Sequence, residues 1–361
     1  MHLPALRFRP RLLLPLLLLL PALFAAEAAR ADGWTQALRT RLEKIDRETP
    51  GTLGVYVKDL ASGEAVDYHA SEKWYLSSTA KVAVAIAVLR AVDAGRFKLG
   101  DQLVLEQTDK VDGSGQLVWS KVGTRRTIDQ LIDQMLWLSD NTGANMPIRA
   151  VGIDELNATA QQAMGRDFGR LTDFTEVRRA VYDEFSPKTR QLTNQQLVEI
   201  AGAPMGPRRV DALRRAAGLA AKDLQARTMD EAYDRYYAKG ANTTTLVAYG
   251  GMLEKVVRGE LLSPGSTQRL FTGIKIGKVA DYRLEGGLPR GVQRIHKTGT
   301  QYRRACHMMV VNPQDKGARG VVIATCAADM DDQKDPDVIF RRVGLAVSET
   351  LLKPGSVGRQ K

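Results

Sequence analysis

Histidine is scarce in this 361-residue chain, which has four. His2 falls in the N-terminal leader, so only His69, His296 and His307 remain for a Ser-His-Asp relay, and no serine sits in a Gly-x-Ser-x-Gly turn. Any serine doing nucleophilic chemistry here is better served by a lysine base. Cysteine is scarcer still: Cys306 and Cys326 are the only two. Only His307 lies near them, the spacing is not that of a zinc site, and no metal or cofactor is expected. Beyond the leader there is no run of about 18 apolar residues, which argues against a spanning helix in the body of the chain. Repeats, low-complexity segments and blocks of like charge are absent too. The formal net charge of +11 therefore has no nucleic-acid arm to sit on.

The leader is basic over Met1–Arg11, apolar over Leu12–Phe24, and then rich in small residues, with Ala-x-Ala options ending at Ala28 or Ala31. An apolar run of about 13 residues is too short to span a bilayer, so residues 1–31 read as a signal peptide. No cysteine follows the run, which excludes a lipoprotein anchor. The expected mature protein is exported to the periplasm, free of the membrane, and a monomer. Arg7, Arg9, Arg11 and Arg30 against Glu27 remove about +3 of the +11 and leave about +8, a surface suited to an anionic envelope.

Helical periodicity covers Trp34–Thr49. Thr52–Leu60 and Glu64–His69 alternate as a hairpin, and Arg294–Thr300, Cys306–Val311 and Gly320–Ala327 read as three further strands before a helix over Pro336–Leu352. The middle of the chain is helical in pattern almost throughout. Both ends thus combine into a five-stranded antiparallel sheet with flanking helices, giving a sheet lobe of residues 32–77 and 286–361 and a helical lobe of 78–285, with a cleft between them. Residues 183–240 form an extra helical insertion, either a surface elaboration or a flap over the cleft. If the last two strands make a hairpin centred near Lys316, Cys306 and Cys326 face one another; an oxidising compartment permits a disulfide, and two buried thiols are the alternative.

Three short clusters carry the chemistry. Ser78 and Lys81, three apart at the start of an Ala/Val/Leu-rich helix, share a face, so a buried lysine of lowered pKa can take the serine proton. Ser139-Asp140-Asn141 lies at a break between two helices. Ser139 can relay a proton to a leaving nitrogen, Asn141 can hold a substrate amide, and Asp140 can brace the loop. Lys297-Thr298-Gly299-Thr300 is strand-like. Lys297 offers a cation, Gly299 a close backbone approach, and the N–H of Thr300 a second oxyanion donor beside that of Ser78.

In that order, with Gly113-Ser114-Gly115, Asn242-Thr243-Thr244-Thr245, Gly259–Ser263 and Gly287–Gly291 around them, the clusters resemble the class A β-lactamase and penicillin-binding-protein superfamily over about Gly54–Leu351, the insertion excepted. The resemblance implies an α/β (α+β) fold of the β-lactamase/transpeptidase type. It also implies Ser78 as nucleophile, Lys81 as activating base, Ser139 as proton relay, and Lys297 and Thr298 as anchors for a substrate carboxylate. The substrate implied is a small β-lactam, hydrolysed through an acyl-serine; a peptidoglycan stem peptide cleaved by a D-alanyl-D-alanine carboxypeptidase, or ligand sensing without catalysis, are alternatives. The family's deacylating glutamate, with an asparagine four residues on, has no clean counterpart. Glu176 is the candidate base, but Ala180 stands where asparagine is expected, an ungapped match places Thr175 at the glutamate, and Asp173 competes. Arg303 and Arg304 are further candidates for carboxylate recognition.

Overall fold

The computed structural model describes residues 20–274 and 282–352, the side chains of 20–32 excepted. Residues 1–19 of the expected signal peptide lie outside them. Chain order is α1 (Leu20–Glu48), β1 (Thr52–Asp59), β2 (Ala65–Tyr68), β3 (Lys73–Tyr75), a 3-10 turn (Ser77–Ala80) and α2 (Lys81–Asp93). Then come β4 (Gln102–Val104), β5 (Arg125–Thr127), α3 (Ile128–Leu136), α4 (Asn141–Val151), α5 (Ile153–Met164), α6 (Phe174–Asp183), α7 (Asn194–Ala201), α8 (Pro207–Ala216) and α9 (Met229–Ala238). The chain closes with β6 (Thr243–Thr245), α10 (Leu246–Arg258), α11 (Pro264–Ile274), β7 (Arg294–Gln301), β8 (Arg304–Val311), β9 (Val321–Ala328) and α12 (Asp335–Thr350). Among the described residues no helix is long and apolar enough to cross a membrane.

The five-stranded sheet runs β2-β1-β9-β8-β7, antiparallel throughout, so the two chain ends meet at the β1–β9 pair. All eight residues of β9 are buried because both sheet faces are covered. On one face Leu53, Val55, Met309 and Ile323 pack with Leu38 and Leu42 of α1 and Phe340 and Val343 of α12. On the other, Tyr56, Met308, Val322 and Ala324 meet α2 and α10. α2 is apolar on every side from Val82 to Leu89 and is correspondingly buried, which makes it the axis of the helical lobe. Register places Cys306 opposite Cys326, and the two form a disulfide.

The helical lobe is less purely helical than its pattern suggests. β4 pairs with β5, and β6 with β3, each over three residues. Segments so short show no period of two, and their pairing comes from tertiary context. Residues 183–240 are largely helical and share a buried core. Val181, Tyr182 and Phe185 form with Leu197, Leu213, Met229, Tyr233 and Tyr236 a third core that also takes in Tyr75.

Candidate active site

The 3-10 turn Ser77–Ala80 delivers Ser78 directly before α2, with Ser77 held in the left-handed region at φ 50°. Such backbone is costly and persists only when its surroundings fix it. Here Leu76 N–H donates to Asn242 O at 2.9 Å, and Tyr249 Oη donates to Thr79 O at 2.9 Å. Lys81 is fully buried, one turn on. Its Nζ lies 2.9 Å from Ser78 Oγ, 2.9 Å from Ser139 O and 2.6 Å from Asn141 Oδ1. Two of these neighbours can only accept, so a neutral amine satisfies both with its two protons and turns its lone pair to the Ser78 hydroxyl. Burial, and then the charge of Lys297, hold the Lys81 pKa well below the ordinary lysine range, with Asp140 opposing.

Ser139 also has a left-handed backbone, at φ 56°. Asp140 braces the loop by capping α4 at Gly143 N (2.7 Å) and accepting from Gln116 N and Leu117 N (2.8 and 2.9 Å). Lys297 Nζ donates to Ser139 Oγ at 3.0 Å and joins the two lobes across the cleft. Burial and the nearby Arg283 guanidinium lower the Lys297 pKa to about 7. Gly299 is a close-approach position: a Cβ there would stand 2.8 Å from Leu76 O and 3.0 Å from Ser78 N. β7 is an edge strand, so it can press its Thr300 end against the nucleophile turn with one side unpaired.

Ser78, Lys81, Ser139, Asn141 and Lys297 are therefore joined in one hydrogen-bonded set, with Gly299 of the Lys297–Thr300 segment packed against the Ser78 turn. Asn141 Nδ2 is engaged with Asp112 O at 2.9 Å. Glu176 does not join them. It is the third residue of α6, where Asp173 caps its N–H at 2.7 Å, and its carboxylate turns outward to Arg190 Nη1 at 2.8 and 2.9 Å. Asp173 is spent as that cap, and Thr175 Oγ1 accepts from Asn145 Nδ2 at 2.9 Å. The side chain of this loop that reaches Lys81 is Phe174, whose ring centre is 4.1 Å from Nζ. No carboxylate among the described residues hydrogen-bonds Ser78 or Lys81.

Arg303 and Arg304 also fall elsewhere. Arg303 pairs with Asp234 and Asp329, while Arg304 lies over the Tyr237 ring at 4.2 Å, so both serve the insertion. The cation beside Thr300 is Arg283, buried and left-handed at φ 51°, with Nη2 2.8 Å from Thr300 Oγ1 and Nη1 3.3 Å from Gly299 O. Sequence reasoning missed it because nothing local distinguishes it; its place is set by the packing of residues 283–287 on α12. The histidines stay out of the cleft. Leu284 N–H donates to His307 Nδ1, and His307 Nε2 and His296 Nδ1 lie 2.8 Å apart, a buried pair kept neutral by desolvation. His69 pairs with Glu72 at the surface. Among the described residues no group of three or more His, Cys, Asp or Glu is placed to hold a metal ion.

Comparison with known proteins identifies the fold and the family. A solved structure called PBP-A superposes with a TM-score of 0.64 at 20% identity, over 87% of this chain and 95% of that one. An ancestral class A β-lactamase gives 0.63 at 25% identity, over 86% and 99%. In sequence, β-lactamase CTX-M-97 of Escherichia coli is 27% identical over 166 residues, 46% of this chain and 56% of that protein. The chain spans about half the length of the first curated relatives it matches. The fold is that of the β-lactamases and penicillin-binding proteins. The model of the beta-lactamase enzyme family matches residues 37–351, from within α1 to the end of α12 with the insertion included, and the chain belongs to that family.

Proposed function

We propose that this protein is an exported, periplasmic, monomeric serine enzyme that opens the β-lactam amide through an acyl-Ser78 intermediate. The observation that carries the reading is the Ser78–Lys81–Asn141 contact with Lys297 closing on Ser139 from the opposite lobe. Neutral Lys81 takes the Ser78 proton as Oγ attacks the carbonyl carbon. The oxyanion lies between the N–H groups of Ser78 and Thr300, whose preorganised dipoles stabilise it more than the ground-state carbonyl. The C–N bond breaks as Ser139 gives its proton to the leaving nitrogen and regains one from Lys297. Lys297, Thr298 and Arg283 hold the substrate carboxylate, and water then cleaves the acyl ester. Intact mass of the mature protein mixed with benzylpenicillin tests this: an adduct is expected on the wild type and none on Ser78→Ala. Labelling of the variant at the wild-type rate would sink the reading.

A second reading follows from Phe174. With a ring against Lys81 and no carboxylate among the described residues hydrogen-bonded to it or to Ser78, the ester has no positioned base to activate its water, and deacylation is slow. That balance suits a D-alanyl-D-alanine carboxypeptidase whose β-lactam adduct persists. Release of D-alanine from a pentapeptide would favour it over the β-lactamase, and a chromogenic cephalosporin turned over without a burst would count against it.

A further inference from the structure

The insertion reaches the end of β7 beside the Ser78 site. On β7, residues 297, 299 and 301 point to the helical lobe, since side chains alternate along a strand. Lys297 reaches Ser139 and Gly299 abuts Ser78, but Gln301, the next on that face, meets Tyr233 of α9, whose Oη donates to Gln301 Oε1 at 3.3 Å. Tyr233 is fully buried, and its oxygen accepts from Arg178 Nη1 at 2.9 Å. Arg178 clamps the Asp112 carboxylate through Nε at 2.9 Å and Nη2 at 2.5 Å, and the Asp112 carbonyl accepts from Asn141 Nδ2. Every proton in the series has a donor and an acceptor, so the two walls of the cleft, at Asn141 and at Gln301, are tied by Asp112, Arg178 and Tyr233. Tyr302 and Tyr237 pack on the Tyr233 ring at 4.9 and 5.6 Å between centres and hold it in place.

A substrate with its carboxylate at Lys297 and Thr298 and its carbonyl oxygen at Thr300 N–H runs toward Gln301. Strand rise is about 3.3 Å per residue, so the group beyond the carbonyl meets the tie about one residue further on. We infer that Arg178 and Tyr233 act as a specificity barrier that admits β-lactams with a small or absent acylamino substituent and excludes bulky ones. The inference rests on the acyl-Ser78 reading and adds which substrates that site takes.

The test compares acylation of Ser78 by 6-aminopenicillanic acid, which carries a bare amine, with that by benzylpenicillin, which carries a phenylacetyl group, in wild type and Tyr233→Ala. Removing the phenol raises the benzylpenicillin rate constant about tenfold and leaves that of the bare nucleus within about twofold, the scale at which a hydrophobic pocket discriminates by size. Gln301→Ala, which leaves the buried tyrosine intact, detaches the barrier from β7 and moves the ratio the same way by about threefold if Tyr233→Ala does not fold. A ratio unchanged in the folded variants overturns the barrier while leaving the acyl-serine reading standing. Failure of both compounds to label the wild type overturns that reading and the barrier with it.

Discussion

The two sides of the cleft are built on different plans. The Ser78 side is dense: Ser78 and Lys81 lie on one turn, the Ser139 loop comes in from the α3–α4 junction, and three hydrogen bonds converge on one buried amine. The side formed by residues 170–240 is structural. Its carboxylates are spent on helix capping and on Arg190, its central cation holds Asp112, and what it turns to the reacting centre is a phenyl ring. The contrast teaches that the steps of one reaction need not share a scaffold. In the proposed reaction, acylation draws on side chains packed into the core, whereas release of the acyl group falls to a loop whose Asp173 and Glu176 carboxylates are engaged elsewhere.

Breaking the dense side has the largest expected effect. Lys81→Ala removes both the base and a partner of Asn141, and acylation slows by about a thousandfold or more, measured as adduct formation under single-turnover conditions. An acylation rate within tenfold of wild type would show that another group activates Ser78. The other side is sharpened by giving it what it lacks. Phe174→Glu places a carboxylate beside Lys81, and breakdown of the acyl-enzyme accelerates about tenfold or more, read by the return of unmodified mass after excess β-lactam is removed. No acceleration, with the fold retained, would mean that a carboxylate in this position cannot reach the ester's water.

A smaller effect concerns the link between the sides. Lys297 has a pKa lowered to about 7, so it carries its charge below that value and loses it as the pH rises. Its attraction for a substrate carboxylate falls in the same direction. The concentration giving half-maximal acylation is therefore expected to rise several-fold, by about three to ten, from pH 6 to 8.5, while Lys297→Arg, charged throughout, flattens the profile. A flat wild-type profile would leave carboxylate binding to Arg283.

What the sequence disclosed followed the same division. The Cys306–Cys326 pairing was legible because two apolar runs flank a turn and fix the register, and the disulfide resolves which alternative holds. The Ser78, Ser139 and Lys297 clusters were legible because each is a few residues long. The barrier was not: Arg178 and Tyr233 are 55 residues apart, and they meet only because α6 packs on α9. Glu176 had the right residue type near the right place, but its direction was settled by a cap and by Arg190, 14 residues downstream. Arg283 depended on a positive φ and on α12, neither of which a local pattern announces.

The sheet closed by both chain ends has a consequence for the order in which the molecule is made. Thr325 hydrogen-bonds Gly54 across a separation of 271 residues, and β7, which brings Lys297 and Thr300 to the nucleophile, lies late in the chain. Contacts so distant form slowly, after nearby ones. A chain emerging N-terminus first thus carries its serine and lysine long before it has an oxyanion edge or a second cation. Until that C-terminal hairpin docks, Ser78 and Lys81 lack Lys297 and the Thr300 edge that complete the site.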